Sequence, residues 1–322
     1  MADDQDSEQR PPISRELLKW ISREYFDMNG SSYHVLDRPP TPLEFARLVH
    51  LSRPVVIKGV ECPALTKWTD DYLVQMMGDQ SISVAVTPNG RADAVTRAPD
   101  GKLYFAEPFI DSMTLRDLFE KLRSGDTNVY YLQSQNGNVY SQDFFSDGED
   151  ASEFASLRAD VPPEVDFVRD ALDRTPDAVN LWIGGSDSVT SIHSDSYENM
   201  YTVVRGTKHF TLLPPSEGWC LQERLYPHAV YTRELDLLPS HEASPVRWSS
   251  VSDPDLPDAL PPEAHPIQIT LTAGDTLYLP VGWWHFVRQS GDVTIALNWW
   301  YDAELEGVNW VWLNMLRGDH VL

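Results

Sequence analysis

Val-Thr-Ser-Ile-His-Ser-Asp-Ser-Tyr-Glu-Asn-Met-Tyr-Thr-Val-Val-Arg-Gly-Thr-Lys-His-Phe-Thr-Leu-Leu, residues 189–213, decides how this 322-residue chain is read. Three short runs rich in β-branched, aromatic and aliphatic residues, 189–192, 199–205 and 209–213, are separated by polar or glycine-bearing breaks. That is the pattern of consecutive strands. The first run leads into His193, and Asp195 follows two positions later. On an extended chain, residues two apart share a face. An imidazole and a carboxylate would therefore point the same way.

Strand-like runs recur on both sides, at 180–183, 267–271, 275–279, 284–289 and 293–300. Eight such runs predict an α+β chain with a mainly β core, folded as a double-stranded β-helix or jelly-roll barrel. Arg-Gly-Thr-Lys (205–208) and Ala-Gly-Asp-Thr (273–276) are the expected hairpin or bulge sites. His285 is the second residue of the run 284–289, and facing strands of a barrel would bring it towards His193 and Asp195. Two imidazoles and one carboxylate with open positions form the facial set of non-heme Fe(II) sites. A catalytic zinc site also uses three protein ligands.

An anchor for a dicarboxylate near the three would favour iron. Lys208 is the first candidate, because an ammonium buried in a barrel requires an anion. Thr190 and Tyr131 offer hydroxyl donors, and Asn199 and Asn298 offer amides. Each also has a plain structural reading: Lys208 as a solvated turn residue, Thr190 as a strand filler, Asn298 as an edge residue. In a chain with nine histidines, one His-x-Asp pair is also within reach of chance. His209, His228, His241 and His265 are expected on the surface or in loops.

The front of the chain reads as helices and short strands. Residues 13–28 carry Leu17, Leu18, Trp20, Ile21 and Tyr25 at mostly helical spacing. Thr41 and Pro42 start a second helix, and 69–77 and 114–123 form two more. Strands are expected at 54–59, 81–87 and 128–133, the last holding Tyr130 and Tyr131. A Pro- and acid-rich insertion, 234–266, is either disordered or a functional flap. Residues 304–316, rich in Trp and Leu, form a helix that belongs to the core or to a dimer face. The expected organisation is an acidic tail (1–12), a helical and strand region packed on the barrel (13–127), the barrel domain (128–303) and a C-terminal helix (304–322).

The charge balance is 49 acidic against 25 basic residues, a net −24. It would repel phosphate backbones, so no direct nucleic-acid binding is expected. It suits a cationic protein segment steered into an acidic cleft, or it serves solubility alone. Cys62 and Cys220 are too few for a disulfide framework, which points to a reducing cytoplasm or nucleus. No apolar run approaches the roughly 20 residues of a membrane span, and the acidic start is wrong for a signal peptide. No membrane partner is expected.

The blocks 189–199, 203–210, 274–285 and 296–302, in that order, resemble the JmjC, cupin-like Fe(II)/2-oxoglutarate oxygenases. Residues 83–95 and 176–184 are similar to segments of a lysyl hydroxylase of that family. The resemblance runs from about residue 14 to the end and is thin only at 234–266. It implies that His193, Asp195 and His285 bind Fe(II) and carry the catalysis. It also implies that Lys208 pairs with the distal carboxylate of 2-oxoglutarate, helped by Thr190 and Tyr131, and that Asn199 and Asn298 line the cosubstrate pocket. The implied reaction consumes O2 and hydroxylates a lysine in a protein substrate, with translation-factor-class GTPases as the implied targets and a homodimer as the assembly. Asp93, Glu107, Asp111 and Tyr197 are candidate contacts to that lysine. Ser194 and Ser196, beside the ligands, leave the substrate open. Demethylation of an N-methyl-lysine, endopeptidase cleavage of a histone tail and a non-catalytic cupin-fold binding protein remain as alternatives.

Overall fold

A computed structural model describes residues 13–146, 148–149, 152–240, 242–304 and 306–317. The expected acidic tail and His241 lie outside the described residues. Helices begin where the sequence supplies caps. Ser14 caps Arg15–Asn29, and Thr41 with Glu44 forms a capping box ahead of Pro42–Leu51. Thr114 with Asp117 does the same for Leu115–Arg123. Among the described residues no helix is long and apolar enough to cross a membrane.

Two long strands, Tyr197–Leu213 and Trp284–Asp302, run antiparallel along most of their length and carry the fold. Four of the expected runs therefore merge into two strands. The breaks between them are bulges, not turns. The register against Trp284–Asp302 shifts on both sides of Arg205. Gly206 there has φ +79°, and a Cβ on it would lie 2.4 Å from Thr294 Oγ1. Only glycine fits such a crease. The 273–276 segment sits at the same level. Ile267–Thr272 and Thr276–Leu279 do not form a hairpin; they succeed one another along Tyr197–Leu213. Neighbouring strands thus bend together, and one continuous sheet of thirteen strands becomes two facing layers.

The larger layer runs His34–Leu36, Val55–Ile57, Thr276–Leu279, the first half of Tyr197–Leu213, the second half of Trp284–Asp302, Ala178–Gly184, Val129–Leu132, Ser81–Thr87 and Phe109–Thr114. The smaller layer contains Ile267–Thr272, the other halves of the two long strands, Val189–His193 and Arg91–Ala92. This is the double-stranded β-helix expected from the sequence. The crease also resets side-chain alternation. Tyr201 and Val203 face the interior before it, and Phe210 and Leu212 face the interior after it. Lys208 falls in the second set. An unbroken strand would keep odd and even positions on opposite faces throughout, and Lys208 would point out of the barrel.

The larger layer is covered on both faces, so all seven residues of Ala178–Gly184 are buried. Trp182 packs inside with Val56 and Leu277, while Val179, Leu181 and Ile183 pack outside in a cluster with Phe45, Leu73, Leu118 and Phe119. The 234–266 insertion contains ordered strands. Leu237–Pro239 pairs with His228–Tyr231, and Val246–Trp248 pairs with Arg224–Tyr226. The helix Gly307–Leu316 is not a core helix. None of its residues is fully buried, and Val308, Val311 and Trp312 are exposed.

Candidate active site

His193 ends Val189–His193 and lies directly opposite His285, the second residue of Trp284–Asp302. The two histidines thus meet as cross-strand neighbours in one layer, rather than across the barrel. Directly opposed residues hold their Cβ atoms about 4.5–5.5 Å apart, and the two ring centroids are 4.2 Å apart. Asp195 is not on the strand, which stops at His193. It comes from the connection to Tyr197–Leu213, and its carbonyl accepts a hydrogen bond from the Gly282 N–H at 2.9 Å. Its Oδ1 lies 3.5 Å from His193 Nε2 and its Oδ2 lies 3.6 Å from His285 Nε2.

Both rings are oriented by the backbone. His193 Nδ1 is 2.8 Å from the Ser191 carbonyl, and His285 Nδ1 is 3.0 Å from that of Trp283. A donor at Nδ1 leaves the Nε2 lone pair for a ligand. Burial, and then the neighbouring His193, push His285 down to about 4, so it is neutral, the form that binds metal. Among the described residues no other group of three His, Cys, Asp or Glu side chains is so arranged. Two imidazoles and a carboxylate facing a cavity suit Fe(II).

Beside the three, a cavity is lined by Tyr131, Thr190, Asn199 and Asn298 together with Trp182, Tyr201, Phe210 and Val287. Lys208 reaches its wall through Tyr131. The ammonium, 1% exposed, donates to the Tyr131 hydroxyl at 3.1 Å and has no carboxylate partner among the described residues. Burial pushes Lys208 down to about 7. Burial also raises the Tyr131 phenol to about 12, against a hydrogen bond with Thr190. A buried ammonium held by a neutral phenol favours an anionic ligand beside it. Asn298 is fixed from three sides. Its Oδ1 accepts from Trp182 Nε1 at 2.7 Å and Asn180 Nδ2 at 3.3 Å, and its Nδ2 donates to Asn199 Oδ1 at 3.2 Å. Asn180 and Trp182 escaped the sequence reading. Their only signal is register: Asn180 stands opposite Asn298.

A larger cleft opens past His193 and is lined by Asp93, Gln133, Gln135, Glu223, Trp248 and Arg317. Asp93 has φ +51° and accepts from Gln133 Nε2 at 2.9 Å. Burial, and then Glu107, push its carboxyl up to about 6. Glu107 lines an adjoining cleft with Asp93 and pairs with His228 at 3.2 Å. Asp111 lies away from both clefts, 3.9 Å from Arg233, and Tyr197 stacks on Trp300 at 5.1 Å. The insertion contributes Trp248, whose ring is nearly parallel to that of His193 at 6.0 Å. Of the other histidines, His265 lies in a loop as expected, whereas His209 and His228 lie on strands. His209 is half-buried and bonds to Thr270 and Ser290, His265 is held by the buried Glu217 at 2.7 Å, and His228 is held by Glu107. The last two are each occupied by an acid away from the cluster.

The profile of the Cupin-like domain family matches residues 40–307. The chain is 38% identical to the bifunctional peptidase and (3S)-lysyl hydroxylase JMJD7 of Homo sapiens, over 92% of this chain and 89% of that protein. It is 36% identical to the lysine-specific demethylase JMJ32 of Arabidopsis thaliana, over 89% and 86%. It is 32% identical to JmjC domain-containing protein E of Dictyostelium discoideum, over 86% of each. The match spans the strands that bring the three ligand-type side chains together, and the chain belongs to the JmjC family of cupin-like oxygenases.

Proposed function

We propose that the protein is an Fe(II)- and 2-oxoglutarate-dependent dioxygenase that hydroxylates a lysine side chain in a protein substrate. The observation that carries this is the buried Lys208, whose ammonium donates to Tyr131 on the wall of the cavity beside His193, Asp195 and His285. Fe(II), held by His193 Nε2, His285 Nε2 and the Asp195 carboxylate, would supply oxygen activation coupled to conversion of 2-oxoglutarate to succinate and CO2. The chain's own residues bind and orient. Lys208 meets the distal carboxylate by a charge-assisted hydrogen bond, and Tyr131 and Thr190 add hydroxyl donors. Asn298, immobilised by Trp182, fixes the amide edge of the pocket. Trp182, Phe210 and Val287 give the pocket an apolar wall.

Substrate enters through the larger cleft. Asp93, held by Gln133, is the acceptor for the lysine ammonium. A bare ammonium carries three N–H donors, and each methyl group removes one, which favours unmethylated lysine over N-methyl-lysine. Incubation with Fe(II), 2-oxoglutarate and a lysine peptide should add one oxygen by mass. Loss of a methylene from a methylated peptide, or a cut chain, with no oxygen gained would overturn the reading. Asp93→Asn should raise the KM for a lysine peptide by about ten- to a hundred-fold, the loss of a hydrogen bond between charged groups. It should leave the 2-oxoglutarate KM alone. An equal effect on a norleucine peptide would show that Asp93 does not recognise the ammonium.

A further inference from the structure

We propose that Glu198 is a positioning residue for the metal ligands, acting through the turn at 280–283; this rests on the reading of His193, Asp195 and His285 as those ligands. Glu198 is buried on the face of the larger layer that turns away from the barrel interior, where its partner Tyr278 packs on Phe45. Its Oε2 accepts from the Tyr278 hydroxyl at 2.7 Å and from the Val281 N–H at 3.3 Å. It has no cationic partner among the described residues. A lone buried carboxyl is a poor stabiliser of a fold, since its desolvation offsets what two hydrogen bonds contribute. Its value lies in what it grips.

The turn touches two of the three ligands. Gly282 N–H donates to the Asp195 carbonyl, and the Trp283 carbonyl orients the His285 ring through Nδ1. Val281, between Glu198 and Gly282, transmits the hold. The turn also packs against the C-terminal helix. Gly282 has φ +76°, and a Cβ there would come within 2.7 Å of Leu313 Cδ2 on that helix. Glu198 thus holds the turn through the Val281 N–H while Leu313 packs against it at Gly282. One carboxyl sets the placement of both Asp195 and His285.

Glu198→Met alone would strand the buried Tyr278 hydroxyl and destabilise the protein for a reason unrelated to metal. The informative protein is the double variant Glu198→Met/Tyr278→Phe, in which both partners are removed together. Mn(II) is titrated into the metal-stripped full chain and followed by electron paramagnetic resonance, beside the melting temperature of the metal-free protein. The double variant should bind Mn(II) about 10- to 100-fold more weakly, the usual effect of losing a partner behind a metal ligand, with little change in metal-free melting. Glu198→Gln, which keeps an acceptor oxygen, should restore most of the affinity. Wild-type Mn(II) affinity in the double variant overturns the role of Glu198, as does a loss matched by a comparable fall in melting temperature. His285→Ala separates the two readings: if it too leaves Mn(II) binding intact, the ligand assignment itself has failed.

Discussion

His285→Ala should lower 2-oxoglutarate turnover by more than about a hundred-fold, the upper end of what losing even a supporting partner of a metal ligand costs. The ring supplies one of three donors, and no fourth His, Cys, Asp or Glu is placed to replace it among the described residues. His193→Ala and Asp195→Ala should behave alike, because Asp195 lies between the two Nε2 atoms. The loss should come from metal rather than from unfolding. His285 is held neutral by burial, so its removal strands no buried charge, and the melting of the metal-free protein should change far less than its iron content. Iron per chain and succinate formation are the two measurements. Unchanged iron and unchanged turnover in His285→Ala would end the oxygenase mechanism proposed for this site.

The pairing of His193 with Asp195 and the helix starts were legible in the sequence because their signals are local. His193 and Asp195 are two positions apart, and capping boxes at Thr41 and Thr114 are chemistry within one turn. The strand runs were legible as short hydrophobic stretches, but their joining was not. Whether Gly206 turns the chain or only bulges it depends on Thr294, which lies on another strand. That difference decides the orientation of Lys208, since the crease switches which positions face inward. Asn180 and Trp182 were invisible for the same reason. Their role appears only once Ala178–Gly184 is in register with Asn298. The 234–266 segment, rich in Pro and acids, looks like a loop by composition. It owes its order to strand pairing with Arg224–Tyr226 and His228–Tyr231, which composition does not reveal. Asp93 takes a left-handed backbone, which Asp tolerates better than most residues, but residue type alone does not say which aspartate does so.

Lys208→Met should raise the KM for 2-oxoglutarate by about thirty-fold or more, while kcat at saturating cosubstrate falls much less. Truncating one partner of a buried charge pair costs about 2–5 kcal/mol, and each 1.36 kcal/mol is a factor of ten. The same lysine should leave a mark on stability. Burial holds Lys208 at about 7 in the folded chain, against 10.5 as its ordinary value. Between those two pH values the unfolded chain binds a proton that the folded chain does not, so stability rises with pH across this window. The penalty is full below pH 7 and gone above about 10.5. Ligand-free wild type should therefore gain stability over Lys208→Met as pH climbs from 7 towards 10. Urea unfolding of both proteins at a series of pH values measures the difference. With 2-oxoglutarate bound, the distal carboxylate keeps the ammonium charged, the folded pKa rises and the slope should flatten. Identical pH dependence in the two proteins, or an unchanged 2-oxoglutarate KM, would refute the anchor. The cosubstrate arm makes the test specific: a lysine buried only to fill the barrel would keep its pH slope whether or not a dicarboxylate is present, and only an anchor loses it.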